Sequence, residues 1–146
     1  MQENDWNKPS YKISRFFTVK ESLWLPQWNR MATEADGLDT QIKLNIIELA
    51  NRMDVVRELL NASINVHCWF RPEAYNKLVK GAANSAHKYG QAVDFDAKGL
   101  TCDAVRAKLE PLLEQYKLRM EQMPGGTWVH LDTREPAPGG HRFFKP

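Results

Sequence analysis

The stretch Ser85-Ala-His-Lys-Tyr-Gly-Gln-Ala-Val-Asp94 restricts the fold of this 146-residue chain more than any other part of the sequence. Apolar and polar residues alternate over 91–96, which predicts a strand with one face in the core and Asp94 on the other face. Gly90 permits a tight turn before that strand, so a loop carrying His87 leads into a strand carrying Asp94. Neutral imidazole and carboxylate are good Zn²⁺ donors, and the stretch therefore indicates a metal site.

Three further segments show the same alternation, at 64–71, 117–121 and 127–132. The turn chemistry of Met123-Pro-Gly-Gly126 joins the last two segments, which predicts a hairpin. The apolar faces of these strands are expected to pack against helices. The opposite faces are expected to present the polar and aromatic residues Arg71, Asp94, Glu121, His130, Trp69 and Trp128.

Helices are predicted before these strands and between them. Residues 40–61 carry one apolar stripe, formed by Ile42, Ile46, Leu49, Met53, Val56 and Leu60. A second helix is expected from about Cys102 to Tyr116, interrupted near Pro111, and Thr18 with Glu21 forms a capping box before a short one. The chain is therefore predicted to be a single α+β domain over 1–146. Helices would cover one face of a small, mainly antiparallel sheet, and the metal site would lie on the other face.

Composition excludes several classes of protein. The net charge is only +2 and the charges are scattered, so neither a nucleic acid nor a membrane is an expected partner. No apolar run is long enough for a membrane span, and no signal peptide is recognised. We expect a monomer made in the cytoplasm, with later release to the cell wall, as for a phage lysin, left open. Residues 1–10 are expected to be flexible, and two free thiols are favoured over one disulfide.

A catalytic zinc site uses three protein donors and a water, so a third donor is needed. His130 lies on a predicted strand with the right alternation to face the same surface as Asp94. From the residues alone other interpretations stay open. His87 and Asp94 can be ordinary surface residues, Asp94 can cap a turn, and His130 can be a hydrogen-bonded histidine in a half-buried strand.

The two motifs together resemble a known family. Ser85-x-His87-x-x-Gly90-x-Ala92-x-Asp94, followed by Trp128-Val-His130-x-Asp132, is similar to the M15 peptidases, which include zinc D-alanyl-D-alanine carboxypeptidases, dipeptidases and phage endolysins. Their metal arrangement also occurs in the hedgehog signalling domain. The segment 13–23 resembles the opening of the family, and Phe70-Arg71 resembles its Ser-Gly-Tyr-Arg stretch.

This resemblance implies roles for individual residues. His87, Asp94 and His130 would bind one Zn²⁺ per chain. Arg71 would contact the substrate carboxylate or the polarised carbonyl oxygen, since a guanidinium can bind both oxygens of a carboxylate. Ser85 would line the site.

The sequence departs from the family where the general base is expected. Relatives often place a Glu three residues before the last ligand, or a His two residues before it, and this chain has Thr127 and Trp128 there. Glu121 is the candidate base, on the predicted site face. Asp132 and Asp96 are fallback bases, or groups that orient His130 or His87.

A second departure is Cys68-Trp69, where the family often has Ser-Gly. By strand alternation Cys68 belongs to the apolar face and Trp69 to the site face, where Trp69 would narrow the substrate groove. Trp128 would form another wall of that groove.

The sequence supports two functional hypotheses and leaves a third open, namely a binding domain without metal in which the motif is residual. In the first, the protein hydrolyses peptide bonds of peptidoglycan stem peptides through a metal-activated water, as a D,D-carboxypeptidase or an endopeptidase. In the second, it is a catalytically impaired, zinc-containing module that binds cell wall or forms part of a virion.

Overall fold

The computed structural model describes residues 1–146. Its helices are α1 (Val19–Leu23), α2 (Thr40–Leu60), α3 (Glu73–Leu78), α4 (Cys102–Leu109) and α5 (Leu113–Tyr116). Its strands are β1 (Trp24–Leu25), β2 (Arg30–Met31), β3 (Ile64–Cys68), β4 (Ala92–Ala97), β5 (Arg119–Glu121), β6 (Val129–Asp132) and β7 (Phe143–Phe144). Short 3₁₀ turns occupy Glu3–Asn7, Glu34–Asp36, Ala86–Tyr89 and Glu110–Leu112.

The main sheet has the strand order β3-β4-β6-β5-β7. All neighbouring strands are antiparallel except β5 and β7, which are parallel. β5 and β6 form the hairpin predicted around the turn at 123–126, and β1 and β2 form a separate two-stranded sheet. The prediction of an α+β domain with a mainly antiparallel sheet is confirmed.

The long helix α2 supplies much of the core. Asp39 caps its first turn by accepting a hydrogen bond from the backbone of Ile42, and Asn61 ends it in the left-handed conformation. Five residues of the predicted stripe are buried, namely Ile46, Leu49, Met53, Val56 and Leu60, and Ile42 packs against them. They share one core cluster with Val93 and Phe95 of β4, so α2 covers the apolar face of the sheet. Pro111 interrupts the predicted helix 102–116, as expected, by a 3₁₀ turn between α4 and α5.

Strand β3 departs from simple alternation. Asn65 pairs with Asp96 and Val66 with Phe95, but Cys68 then pairs with Asp94, so the register shifts between Val66 and Cys68. Such a β-bulge contains one extra residue and moves every later side chain to the opposite face. The prediction that Cys68 lies on the apolar face is therefore corrected, because Cys68 shares the site face with Asp94.

The amino-terminal segment also packs on the domain. We expected residues 1–10 to be flexible, and in the structure Trp6 is 6% exposed and belongs to the core cluster. Lys43 of α2 forms an ion pair with Glu3 at 2.7 Å. Cys68 and Cys102 are both free, as favoured from the sequence. None of the helices combines the length and apolarity that a membrane span requires.

Candidate metal centre

Local structure on either side of Gly90 brings the motif residues together. Ser85 accepts a hydrogen bond from the backbone N–H of His87 at 3.2 Å and starts the 3₁₀ turn that carries this histidine. Gly90 then adopts φ +70°, a left-handed conformation that reverses the chain into β4. On the neighbouring strand β6, His130 pairs directly with Asp94. His87, Asp94 and His130 therefore meet on the face of the sheet that α2 does not cover.

Asp94 is the centre of this group. Its Oδ1 lies 3.2 Å from His87 Nε2 and 2.9 Å from His130 Nδ1. The two imidazoles stand edge to face, with ring centroids 5.3 Å apart. Both histidines are buried, and the Asp94 side chain is 15% exposed. Three potential metal donors thus converge at the edge of a largely buried space.

In each imidazole, the nitrogen that points away from Asp94 already has a hydrogen-bond partner. His87 Nδ1 donates to the carbonyl oxygen of Trp69 at 2.7 Å, so in the neutral imidazole the lone pair lies on Nε2. His130 Nε2 contacts Asp132 at 2.9 Å, and Arg119 holds Asp132 through two hydrogen bonds of 2.8 and 2.9 Å. Metal-binding histidines are oriented in this way by carbonyl or carboxylate groups behind them.

One buried atom has no hydrogen-bond partner in this arrangement. His87 Nε2 is buried and, although it lies 3.2 Å from Asp94, does not form a hydrogen bond with it. A buried polar atom without a partner costs free energy, so a ligand is expected to engage it. His87, Asp94 and His130 could hold a divalent cation, which would engage this atom, and the donor set fits zinc.

The electrostatics of the group favour a cation. Burial alone would raise the pKa of Asp94, but the charge of His87 and the hydrogen bond from His130 hold this pKa well below its usual value of 3.8. Burial alone would lower the pKa of His87, but Cys68 and Asp94 raise it to about 10. A site that stabilises a proton on a buried imidazole also suits a metal ion that replaces this proton.

Above these residues lies a pocket of about 280 Å³. It is lined by Ala82, Asn84, Ser85, Ala86, His87, Asp94, Arg119, Glu121, Trp128, His130, Asp132, Arg134 and Phe144. A larger open pocket of about 540 Å³ lies beside Glu114 and Arg142, away from the histidines. The smaller pocket is the candidate active site because it contains the convergent donors.

The comparison with protein families agrees with this geometry. The family model described as Peptidase M15 matches residues 25–132. The chain belongs to the peptidase M15 family. The search of curated proteins found no match, and neither did the search of solved structures. M15 enzymes are in general zinc-dependent metallopeptidases, so the resemblance drawn from the two motifs is confirmed at the level of family and general activity.

Most of the other predicted site residues of this M15 domain line the pocket. Glu121 lies at the end of β5, and its carboxylate has no hydrogen-bond partner in the protein. Ser85 and Trp128 also line the pocket, and Trp128 is 39% exposed. Asp132 is completely buried behind His130, where it orients the imidazole.

Three predicted residues lie elsewhere. Trp69 is 1% exposed and packs edge-on against Phe17 in the core, because the β3 bulge reverses its direction, so it does not form a groove wall. Asp96 bonds with His67 and Asn65, and neither orients a zinc donor nor lines the pocket.

Arg71 is also outside the set of residues that line the pocket. Its backbone N–H donates to the carbonyl of His87 at 2.9 Å, and its guanidinium donates to Asn76 at 3.2 Å. Gly81 makes room for that pair, since a Cβ at this position would lie 2.0 Å from the Asn76 oxygen and 2.5 Å from the guanidinium. The Nε of Arg71 is buried and has no hydrogen-bond partner.

Sequence reasoning did not single out three charged or aromatic residues that line the pocket, Arg119, Arg134 and Phe144, and it assigned Cys68 to the core. Arg119 is two residues before Glu121 and shares its predicted face, so strand alternation could have identified it. Cys68 was hidden by the bulge. Arg134 and Phe144 lie after residue 132, where the match to the family model ends, and no local sequence pattern predicts that they line the pocket. Phe144 packs edge-on to His130 at 6.2 Å, and the Arg119 guanidinium lies 4.2 Å from the Phe144 ring centroid.

Proposed function

We propose that the protein is a zinc-dependent peptidase that hydrolyses peptide bonds in peptidoglycan stem peptides. The observation that carries the proposal is the convergence of His87 Nε2, Asp94 Oδ1 and His130 Nδ1, with the far nitrogen of each imidazole already occupied. The substrate class follows the M15 carboxypeptidases and endolysins that the two motifs resemble. The protein then acts as a D,D-carboxypeptidase or as an endopeptidase.

In this proposal His87, Asp94 and His130 hold one zinc ion. Zinc in a three-donor site lowers the pKa of a bound water to ~7 and polarises a substrate carbonyl. Burial of the two imidazoles keeps competing water away from the donors. Asp132 and Arg119 fix the His130 ring, so the donor atom stays directed at Asp94.

Glu121 is the proposed general base. It lines the same pocket as the three donors and makes no hydrogen bond that would have to break before it accepts a proton. The register that pairs Arg119 with Asp132 and Met120 with Leu131 brings Glu121 opposite His130 when it is continued by one residue. The carboxylate would take one proton from the attacking water and pass it to the leaving amine, while the water oxygen becomes part of the new carboxylate.

Arg71 and Ser85 are the proposed substrate contacts. The Arg71 guanidinium donates to Asn76 and does not line the pocket, so it would have to turn towards the pocket to reach a peptide carboxylate or carbonyl. The hydroxyl of Ser85 lines the pocket beside the 3₁₀ turn. Arg134 adds a positive charge to the rim, where its guanidinium donates to the carbonyl of Asn84 at 2.7 Å. The pocket therefore suits a short peptide that carries a negative charge.

The alternative of a catalytically impaired wall-binding or virion module is not favoured. It depended on the absence of a base at the positions relatives use most often. Family membership together with Glu121 in the pocket supports a metallopeptidase instead.

Digestion of purified sacculi tests the proposal. We expect the wild-type protein to contain one zinc ion and to release peptides or D-alanine, detected by mass spectrometry. Glu121→Gln should retain zinc and slow this release by about 10²- to 10⁴-fold, because general base catalysis contributes this much. Glu110→Gln, an exposed carboxylate outside the pocket, is the matched control and should leave release unchanged. Zinc-loaded wild-type protein that releases nothing from sacculi would exclude the proposed substrate.

A further inference from the structure

The bulge in β3 has a chemical consequence at the metal centre. It places Cys68 directly opposite Asp94 on one side, and β6 places His130 directly opposite Asp94 on the other side. Side chains directly opposite in an antiparallel pair have Cβ atoms about 4.5–5.5 Å apart and share one face. Cys68, Asp94 and His130 therefore form a row across three adjacent strands, with Asp94 in the middle.

The sulfur of Cys68 lies close to His87 and Asp94, in a group of potential donors that does not include His130. One potential ligand atom each of Cys68, His87 and Asp94 lie within 4.8 Å of one another. Cys68 Sγ is 3.8 Å from His87 Nδ1, and that nitrogen is already bonded to the carbonyl of Trp69. The unpartnered atom of the group is His87 Nε2, on an imidazole that is 2% exposed. Thiolate sulfur is among the best zinc donors, so Cys68 adds a strong ligand to this group.

We propose that Cys68 is a fourth protein donor of the metal centre, beside His87, Asp94 and His130. The inference rests on the proposed zinc site and adds a ligand to it. When the bond between sulfur and metal forms, the thiol proton leaves to solvent. Without the bulge, Cys68 would point into the core and Trp69 would take its place at the site.

A fourth donor changes which metal ions the site is expected to bind. Thiolate is a soft ligand and raises affinity for zinc, cobalt and cadmium relative to magnesium or calcium. Four protein donors are typical of structural zinc sites, whereas catalytic sites keep one position open and sometimes accept a fifth ligand. Cys68 is therefore expected to increase metal retention and to compete with the open position.

Cobalt substitution tests this inference without measuring hydrolysis. The full chain, freed of metal and loaded with one equivalent of Co²⁺, should show the near-ultraviolet absorption of a thiolate bound to cobalt. Cys68→Ser should still bind one Co²⁺ but lack that band. Cys102→Ser removes the other thiol, at the start of α4, and should keep the band. Loss of the band in Cys68→Ser alone would establish the assignment.

The results that would overturn the inference differ from those that would overturn the zinc site. Cobalt bound one-to-one with no thiolate band in the wild type rejects Cys68 as a donor and leaves the other three in place. A wild-type protein that binds neither cobalt nor zinc rejects the site as a whole, and the fourth donor with it.

A second measurement avoids any change to Cys68. In Cys102→Ser the only thiol is Cys68, so alkylation by iodoacetamide reports on this residue. Zinc at ten times its dissociation constant should slow the alkylation about tenfold, since only the metal-free fraction reacts. Equal rates with and without zinc, at full zinc occupancy, would reject the inference.

Discussion

The two halves of strand β4 carry nearly the same chemistry in different surroundings. Asp94 and Asp96 are two residues apart on the same face, and each contacts a histidine. Asp94 is 15% exposed and lies between His87 and His130, whereas Asp96 is 37% exposed and bonds with His67 and Asn65. Hydrogen bonds from His67 and Asn65 lower the pKa of Asp96, in the same direction as that of Asp94.

This difference shows that contact between an imidazole and a carboxylate does not define a metal site. At Asp94 two buried imidazoles share one oxygen, and groups behind them fix which nitrogen is free to bind. At Asp96 one imidazole is half-exposed, and water can satisfy both partners without a metal. Asp94 therefore differs from Asp96 in the number of buried imidazoles that contact it and in the groups that hydrogen-bond to those imidazoles.

The largest expected contrast is between Asp94→Asn and Asp96→Asn. Asp94→Asn should reduce zinc content from one per chain to none, and hydrolysis should fall by on the order of 10³-fold, because the loss of metal catalysis removes several kcal/mol of transition-state stabilisation. Asp96→Asn should leave both unchanged. Metal analysis after dialysis and release from sacculi provide the measurements. Equal zinc loss in the two variants would contradict the distinction drawn between the two halves of β4.

Asp132→Asn tests whether the carboxylate that hydrogen-bonds to His130 contributes to zinc affinity. Asp132 orients His130 and is itself held by Arg119, so its charge supports the donor without touching the metal. We expect zinc affinity to fall about 10- to 100-fold, as for other carboxylates that orient a metal-bound histidine. Competition with a chelator measures the affinity. Asp103→Asn, on an exposed turn of α4, is the control that should bind zinc normally. An unchanged affinity in Asp132→Asn would show that the fold alone orients His130.

Gly90 and Gly99 flank β4, and both have positive φ, +70° and +81°. A Cβ at Gly90 would lie 2.7 Å from Ile46 and 3.1 Å from the Ile42 carbonyl on α2, whereas Gly99 has open space around it. Gly90→Ala should therefore lower the free energy of unfolding by about 1–3 kcal/mol more than Gly99→Ala, because only the first is overpacked. Urea denaturation of both variants gives this difference. Equal losses would mean that α2 yields to the added methyl group.

The smallest expected effect is a pH dependence at the site end of β4. The pKa of His87 is raised to about 10 from 6.5, so its contribution to stability is fully present below pH 6.5 and is lost as pH rises towards 10. Metal-free protein should therefore lose thermal stability over this range. Zinc must displace the same proton, so its affinity should rise between pH 6.5 and 8 by about tenfold per pH unit for each proton that binding releases. Zinc titrations at several pH values measure this slope, and a flat profile would argue against a protonated His87.

The sequence was sufficient for the parts of the fold that depend on local periodicity. The apolar stripe predicted α2 to within one residue, and alternation assigned the correct faces in β4, β5 and β6. These faces follow from strand geometry. Successive side chains point to opposite faces, so a buried face needs apolar side chains at every second position. The same parity placed Asp94 and His130 on one face, and the structure added that they are directly paired on neighbouring strands.

Alternation failed in β3, where it assigned Cys68 to the core and Trp69 to the site. A bulge depends on how one strand pairs with its neighbour, and no residue of 64–71 specifies it locally. The groups that hydrogen-bond to the two imidazoles also depend on contacts between separate segments. Trp69 supplies a backbone carbonyl to His87, and Arg119 reaches Asp132 from another strand.

By itself the sequence placed Asp94 and His130 on the polar faces of two strands, through alternation with a period of two, and placed His87 in the turn before the first strand. The resemblance to the M15 peptidases, and not this periodicity, grouped the three residues as metal donors. Only the tertiary structure decided which nitrogens face Asp94, that Cys68 shares a face with Asp94, and that Phe144 of β7 lines the pocket. These features depend on contacts between segments distant in the chain. Local residue patterns restrict the conformation of a segment, whereas such contacts are set by how the segments pack.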